Sequence, residues 1–125
     1  MNKPTTQWDA VIFDVDGTLI DSIPFIVECF QHAFSHHLGR LEDEEMIKAG
    51  IGVPLESVFS AQYPEIAQEL MATYLEYNLN HLHQGIGIFN GIPQMLAGLR
   101  ERQIPTAIVT SKRHIALRPS LEDFE

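Results

Sequence analysis

Cationic residues are scarce in this chain of 125 residues. Lysines and arginines number 8 against 17 aspartates and glutamates, which gives a formal net charge of −9. Nucleic acids and anionic membrane surfaces attract proteins through basic side chains, so this excess of negative charge argues against both. We therefore expect neither a nucleic acid nor a membrane as a main partner.

Cysteine and long apolar runs are also nearly absent. The single cysteine, Cys29, excludes a disulfide within the chain and a cysteine-rich zinc site. It lies among apolar residues of a predicted helix, where we expect a buried and unreactive thiol. No apolar run approaches the roughly 18 residues of a membrane-spanning helix. Residues 1–7 lack the apolar stretch of a signal peptide, so we expect a cytoplasmic protein.

Two apolar segments predict a parallel sheet. Residues 9–13 predict a strand, because residues 10–13 form a continuous apolar run, typical of an interior strand covered on both faces. A helix is predicted after Pro93, followed by a second strand at residues 105–109. A helix between two strands forms a βαβ unit, whose strands are parallel. Another helix should follow, and Pro119 should break it.

Between these strands lies a long segment of helical spacing. Residues 22–84 show apolar side chains at intervals of three and four, and no strand is predicted there. Ser22 is expected to cap the first helix, and the glycine-rich residues 85–91 predict a connector. Two strands are too few for a stable doubly wound sheet. The predicted fold is therefore α/β, with an incomplete core of parallel strands and an inserted helical segment.

The clearest chemical signal is a pair of carboxylates, Asp14 and Asp16, after the first predicted strand. Ligands of open α/β sheets bind at the carboxyl ends of the strands. A negative charge there needs a partner, and Mg²⁺ favours one or two carboxylates completed by water and substrate phosphate. One carboxylate can attack phosphorus, while the other protonates the leaving oxygen and then activates water. Gly17 would let the backbone turn sharply beside the phosphate.

Simpler interpretations of this loop remain open on the residues alone. Asp16 and Gly17 can form an ordinary turn, and Asp14 can be a hydrogen-bonded carboxylate at a strand end. A calcium-binding loop also starts with two alternating aspartates. It requires glycine at its sixth position and glutamate at its twelfth, where this chain has Leu19 and Phe25. The calcium loop is therefore rejected.

Residues 14–18 (Asp-Val-Asp-Gly-Thr), after the apolar strand and before Asp21-Ser22, resemble the first motif of the haloacid dehalogenase-like hydrolase superfamily. The resemblance implies that Asp14 is the nucleophile and a magnesium ligand. It implies that Asp16 is the general acid and base, and that its backbone carbonyl also meets the metal. An aspartate at position 16 is similar to the phosphatase branch and differs from the dehalogenase branch.

Residues 109–112 (Val-Thr-Ser-Lys) resemble the second motif of the same superfamily. The resemblance implies that the Thr110 hydroxyl binds the transferring phosphoryl group, together with Ser111 and with Gly17 and Thr18 of the first motif.

The resemblance also implies a division into domains. Residues 1–21 and 85–125 would form a partial α/β core domain of the Rossmann type, and residues 22–84 an α-helical cap domain that closes over the substrate. Finer similarity is to the phosphoglycolate phosphatase and PpaX-type pyrophosphatase group. It rests on residues 77–78, 81, 89–92 and 108–112.

Only the N-terminal portion of the family pattern is present. By the resemblance, a third motif lysine and a fourth motif acidic pair would lie beyond Glu125. We expect a phosphatase for a small phosphate ester or pyrophosphate, with this chain inactive alone. The alternatives are a truncated, non-catalytic fragment and a phosphomutase-type phosphotransferase. An exposed sheet edge predicts possible self-association, because unpaired strands invite pairing with another chain.

Overall fold

A computed structural model describes residues 8–111. Its elements, in chain order, are β1 (Val11–Phe13), β2 (Ile20–Asp21), α1 (Ile23–Leu38), α2 (Glu44–Ala49), α3 (Leu55–Gln62), α4 (Ala67–Gly85), β3 (Gly87–Ile88), α5 (Ile92–Glu101) and β4 (Thr106–Ile108). Within this range no helix has both the length and the apolar character needed to cross a membrane. The helix predicted after the second strand, with its break at Pro119, lies outside the described residues.

The two predicted apolar strands pair as expected. β1 and β4 are parallel neighbours, with Val11 opposite Thr106 and Phe13 opposite Ile108. The Val109 N–H donates to the Phe13 carbonyl at 2.9 Å and extends the pairing beyond β4. Since α5 precedes β4 along the chain, it forms the last part of the crossover between these strands. The prediction of an α/β fold with parallel strands is confirmed.

The prediction that the first strand is covered on both faces is wrong for the part of the chain that the structure describes. The side chain of Ile12 is 65% exposed and that of Val109 is 66% exposed. All residues of β4 are exposed, and α5 has no fully buried residue. The reason is that, within residues 8–111, no helix packs closely on the faces of the β1–β4 pair. The sheet therefore presents apolar side chains to solvent.

The helices α1 to α4 form what we call the helical unit, residues 23–85. Its main contact is between α1 and α4, with α2 packed on α1 and α3 packed on α4. Phe30 lies at the centre, with ring centroids 5.0–6.1 Å from those of Phe34, Phe59 and Tyr74. Burial of each such side chain contributes roughly 1.5–3 kcal/mol. The helical segment predicted for residues 22–84 is confirmed as a helical region without strands.

A second, short strand pair was not predicted from the sequence. Ile20 lies opposite Ile88 and Asp21 lies opposite Gly87 in an antiparallel ladder. The segment expected to be only a connector therefore contains β3. Two-residue strands are too short to show the alternation by which strands are recognised in sequences. This pair joins the chain segment that enters the helical unit to the segment that leaves it.

Candidate functional site

The loop after β1 turns back on itself at Gly17. Its backbone has φ of 77°, a left-handed conformation that favours glycine. The Gly17 N–H donates to the Ile20 carbonyl at 2.9 Å, and the Leu19 N–H donates to the Val15 carbonyl at 3.0 Å. A Cβ at position 17 would lie 3.2 Å from Cγ1 of Ile23. The predicted turn is present, its backbone conformation favours glycine, and a larger residue would also have to displace the Ile23 side chain by a few tenths of an ångström.

Asp14 occupies the carboxyl end of β1. Its side chain is exposed, and its Oδ1 accepts a hydrogen bond from the Val15 N–H at 2.8 Å. The neighbouring Val15 side chain is fully buried and anchors the loop. The carboxylate of Asp14 is thus held at the strand end, where a ligand from solvent can reach it.

Asp16 is half-buried and is fixed by a serine. Its Oδ1 accepts a hydrogen bond from Ser22 Oγ at 2.6 Å. Ser22 occupies the predicted N-cap position of α1, but its side chain makes no capping hydrogen bond. The hydroxyl of this fully buried serine orients the Asp16 carboxylate instead. The position was predicted correctly from the sequence, whereas the partner of the hydroxyl was not.

Thr110 and Ser111 follow β4 at the same edge of the sheet as Asp14. This proximity follows from the parallel pairing of β1 with β4, because the carboxyl ends of parallel strands meet at one edge. Asp16 and Ser111 line one cleft between the sheet edge and the helical unit. Within residues 8–111, Asp14, Gly17 and Thr110 are not among the residues that line it.

The cleft holds about 560 Å³ of empty space, part of it open to solvent. Most of its wall is apolar and is contributed by Ile26, Phe30, Ile51, Val53, Leu55 and Leu75. Polar groups are few, and they converge from the loop, from α4 and from the end of β4. These polar residues are Asp16, Tyr74, Asn78 and Ser111. A mostly apolar cleft with a few convergent polar groups is typical of a small-molecule site.

Tyr74 and Asn78 also line this cleft, and neither role was predicted from the sequence. Burial raises the pKa of Tyr74, and the nearby Cys29 and Asp16 add to the rise. Asn78, one helical turn later, is 1% exposed and places Nδ2 at 3.7 Å from Cys29 Sγ. The available signal was an asparagine within the apolar stripe of a helix, four residues after a tyrosine. Buried asparagines are uncommon, so this one is a marker of function or of specific packing.

The loop carboxylates fit a partial magnesium site. The described residues contain no group of three or more histidines, cysteines, aspartates or glutamates that could hold a metal ion. Asp14 and Asp16 nevertheless offer hard oxygen donors from one short loop. Mg²⁺ commonly binds through one or two carboxylates and completes its shell with water and substrate phosphate. The donor chemistry of this loop is therefore suited to Mg²⁺.

A carboxylate loop at the carboxyl edge of a parallel strand pair, facing a cleft below a helical unit, defines a hydrolase-like α/β protein. The chain belongs to the haloacid dehalogenase-like hydrolase family, whose model matches residues 11–125. Pyrophosphatase PpaX from Anoxybacillus flavithermus is 33% identical over 85% of this chain, which spans 50% of that protein. Pyrophosphatase PpaX from Halalkalibacterium halodurans is 33% identical over 83% of this chain, which spans 48% of that protein.

Solved structures agree with this assignment. The crystal structure of a predicted phosphatase from Clostridium acetobutylicum matches with a TM-score of 0.81 and 26% identity, covering 94% of this chain and 56% of that one. A haloacid dehalogenase-like hydrolase from Bacteroides fragilis matches in fold, with a TM-score of 0.82 and 24% identity over 94% of this chain and 58% of that one. The predicted family and its PpaX-like character are confirmed. The chain spans about half the length of the curated relatives it matches.

Proposed function

We propose that this chain supplies the nucleophile and the general acid and base of a magnesium-dependent phosphatase. The substrate is a small phosphate ester or pyrophosphate, and the reaction passes through an aspartyl phosphate. The observation that carries the proposal is the loop after β1, which places two carboxylates beside a cleft at the carboxyl edge of the sheet. The family membership and the pyrophosphatase names of the relatives support it.

In the first step, a carboxylate oxygen of Asp14 forms a bond to phosphorus while the bond from phosphorus to the leaving oxygen breaks. Asp16 donates its proton to that oxygen. Asp16 then accepts a proton from water, whose oxygen attacks phosphorus, and inorganic phosphate leaves Asp14. Mg²⁺, bound by Asp14 and the Asp16 backbone carbonyl, would screen the negative charges that otherwise repel each other.

The remaining residues of the site would bind the phosphate or orient the Asp16 carboxylate. Gly17 would let the loop backbone pass close to the phosphate and Thr18 would offer its hydroxyl, while Thr110 and Ser111 would add hydroxyls from the neighbouring strand end. Ser22 acts through Asp16, because its hydroxyl holds one oxygen of that carboxylate. It is a positioning residue.

The proposed domain boundaries lie on either side of the helical unit. Residues 22–84 would form the cap, and residues 1–21 and 85–125 would form the partial core. The pairing of β2 with β3 supports these boundaries. The chain enters the helical unit after β2 and leaves it before β3, and all four helices lie between these strands. We place the enzyme in the cytoplasm.

The test is a phosphatase assay with Mg²⁺ on the complete gene product that carries these residues. Asp14→Asn should lower turnover by at least about 10³-fold, since the amide is not a nucleophile. Asp9→Asn is the matched control, because Asp9 is an exposed aspartate just before β1. Chelation should abolish turnover, and added Mg²⁺ should restore it. Equal turnover in Asp14→Asn and wild type would contradict the proposal.

The same assay on the 125-residue chain tests whether this chain is active by itself or is a non-catalytic fragment. We expect no turnover from it, because it spans about half the length of the curated relatives it matches. Mg²⁺-dependent turnover by the chain alone would overturn the non-catalytic fragment interpretation. Release of inorganic phosphate, rather than an isomerised phosphate ester, distinguishes hydrolysis from phosphomutase activity.

Self-association is a second candidate property of the chain. The exposed Ile12 and Val109 on the strand pair favour it, because apolar strands with unpaired edges recruit other strands. Sedimentation velocity should show oligomers of the 125-residue chain that Ile12→Lys reduces. A chain that stays monomeric at all concentrations would exclude this property.

A further inference from the structure

We propose that Asn78 determines substrate choice by accepting a hydrogen bond from a neutral, hydroxylated leaving group. The inference rests on the proposed phosphatase function and narrows its substrate class. The leaving group would be an alcohol that carries a second hydroxyl, rather than one that carries a carboxylate or a second phosphate.

Asn78 carries a buried polar atom without a hydrogen-bond partner among residues 8–111. Asn78 lies in the middle of α4 and is 1% exposed. Its Nδ2 donates weakly to Cys29 Sγ at 3.7 Å, whereas its Oδ1 is sealed from solvent and has no hydrogen-bond partner within residues 8–111. Buried amide oxygens almost always have a partner, because leaving one unpaired is unfavourable. The oxygen of Asn78 therefore requires a donor that the described residues do not supply.

The position of Asn78 suits contact with a leaving group. Asn78 lines the same cleft as Asp16, the proposed proton donor to the leaving oxygen. A leaving group protonated by Asp16 would extend along the wall to which Asn78 belongs. The terminal torsion of asparagine is broad, so the amide can turn its oxygen toward the cleft while the helix stays in place. A hydroxyl in the leaving group would then complete the missing hydrogen bond.

The charge of the cleft wall favours a neutral leaving group. The described lining of the cleft includes no lysine, arginine or histidine, and its one charged side chain is the carboxylate of Asp16. Its wall is otherwise built mostly of aliphatic and aromatic side chains. An anionic leaving group would lose its hydration there without gaining a cation, which is unfavourable. A neutral leaving group with one hydroxyl matches both the apolar wall and the acceptor on Asn78.

The experiment compares four substrates on the complete gene product with Mg²⁺. They are 2-hydroxyethyl phosphate, n-propyl phosphate, phosphoglycolate and pyrophosphate. The first two differ only by a methyl group in place of the hydroxyl. We expect kcat/KM for 2-hydroxyethyl phosphate to exceed that for n-propyl phosphate by about 10- to 100-fold, because the methyl leaves Oδ1 unpaired. It should also exceed the values for both anionic substrates.

Equal kcat/KM for the hydroxyl and methyl substrates would overturn the proposal, as would a preference for phosphoglycolate or pyrophosphate. Either result would leave the phosphatase function standing. If none of the four substrates is hydrolysed, the proposed phosphatase function is contradicted and this inference falls with it. This comparison needs no variant, so it is decisive even where a substitution prevents folding.

Asn78→Leu tests the residue itself. The variant should lose the preference for 2-hydroxyethyl phosphate, so that the ratio of its kcat/KM to that for n-propyl phosphate falls to about one. Asn80→Leu, an exposed asparagine on the same helix, should retain the wild-type preference. An equal loss of activity toward both substrates in Asn78→Leu would mean a purely structural role and would overturn the proposal.

Discussion

The helical unit and the strand pair β1–β4 differ in how far they bury their apolar side chains. Phe59 and Leu70 in the helical unit have no exposed surface. By contrast, Ile12 in β1 and Val109 just after β4 are 65% and 66% exposed. The helical unit thus contains its own core. The strand pair carries side chains suited to burial, yet it does not bury them within the described residues. Stability should therefore be concentrated in the helices, and the site should lie where a stable region meets a weaker one.

The largest effect should come from the centre of the helical core. Phe59→Ala removes a ring that packs against Phe30, Phe34 and Tyr74, and should lower the free energy of unfolding by about 3–5 kcal/mol. Ile12→Ala, on the exposed strand, should change it by about 0.5 kcal/mol or less. Urea unfolding followed by circular dichroism measures both. Similar losses in the two variants would contradict the contrast between the two regions.

A smaller effect is expected where α4 ends against α1. A Cβ at Gly85 would lie 2.3 Å from Cδ2 of Phe25, too close for any real contact. Gly85→Ala should therefore lower the free energy of unfolding by about 1–3 kcal/mol through overpacking. Gly87→Ala is the matched control, because a Cβ there meets nothing within 4 Å. Equal stability of the two variants in urea unfolding would show that Phe25 moves aside at no cost.

Alkaline pH should weaken the helical unit through Tyr74. Burial raises the pKa of this residue above its ordinary value of about 10, so the folded state keeps the phenol proton after the unfolded state has lost it. The contribution of Tyr74 to the free energy of unfolding is fully present below about pH 10. It declines as the pH rises further, by up to about 1.4 kcal/mol per pH unit.

Tyr74→Phe should flatten this decline between pH 9 and 11 in urea unfolding. Tyr63→Phe is the comparison variant. A hydrogen bond to Glu42 raises the pKa of Tyr63, but this tyrosine is only half-buried, so its substitution should change the slope less. An unchanged alkaline slope in Tyr74→Phe would place the pH sensitivity elsewhere.

The smallest effect on stability tests the contact between the two regions. Ser22→Ala removes the hydrogen bond to Asp16 and should lower the free energy of unfolding by about 1 kcal/mol. In the complete gene product it should lower kcat by roughly tenfold, because Asp16 loses its orientation. Ser35→Ala, an exposed serine on the same helix, should change neither quantity. A normal kcat in Ser22→Ala would show that Asp16 is oriented by other groups.

Much of the fold could be predicted from the sequence because its signals are local. Apolar residues at helical spacing mark α1 and α4, and prolines or glycines stand near the ends of α1, α3 and α5. The parallel pairing of β1 and β4 followed from the helix between them. The turn at Gly17 was signalled by the aspartate before it. The sequence signal for each of these features lies in a few neighbouring residues, even though the β1–β4 pair itself joins distant parts of the chain.

Other features depend on contacts between distant residues and could not be predicted. The β2–β3 ladder pairs Ile20 with Ile88, and neither segment is long enough to show a strand pattern. The exposure of Ile12 depends on which elements cover the sheet, while its sequence only shows that it is apolar. Asn78 matched a family pattern, but its unpaired oxygen is visible only once α4 is packed on α1.

The short ladder between β2 and β3 has a consequence for the modularity of the chain. Because Asp21 and Gly87 are paired neighbours, the helical unit begins and ends at one point. Closing the rest of the chain without it would need only a tight hairpin turn from Asp21 to Gly87. The helical unit therefore imposes little strain on the rest of the chain, which is joined to it only at two adjacent points. A helical unit of another size or lining could be exchanged here while Asp14 and Asp16 keep their places.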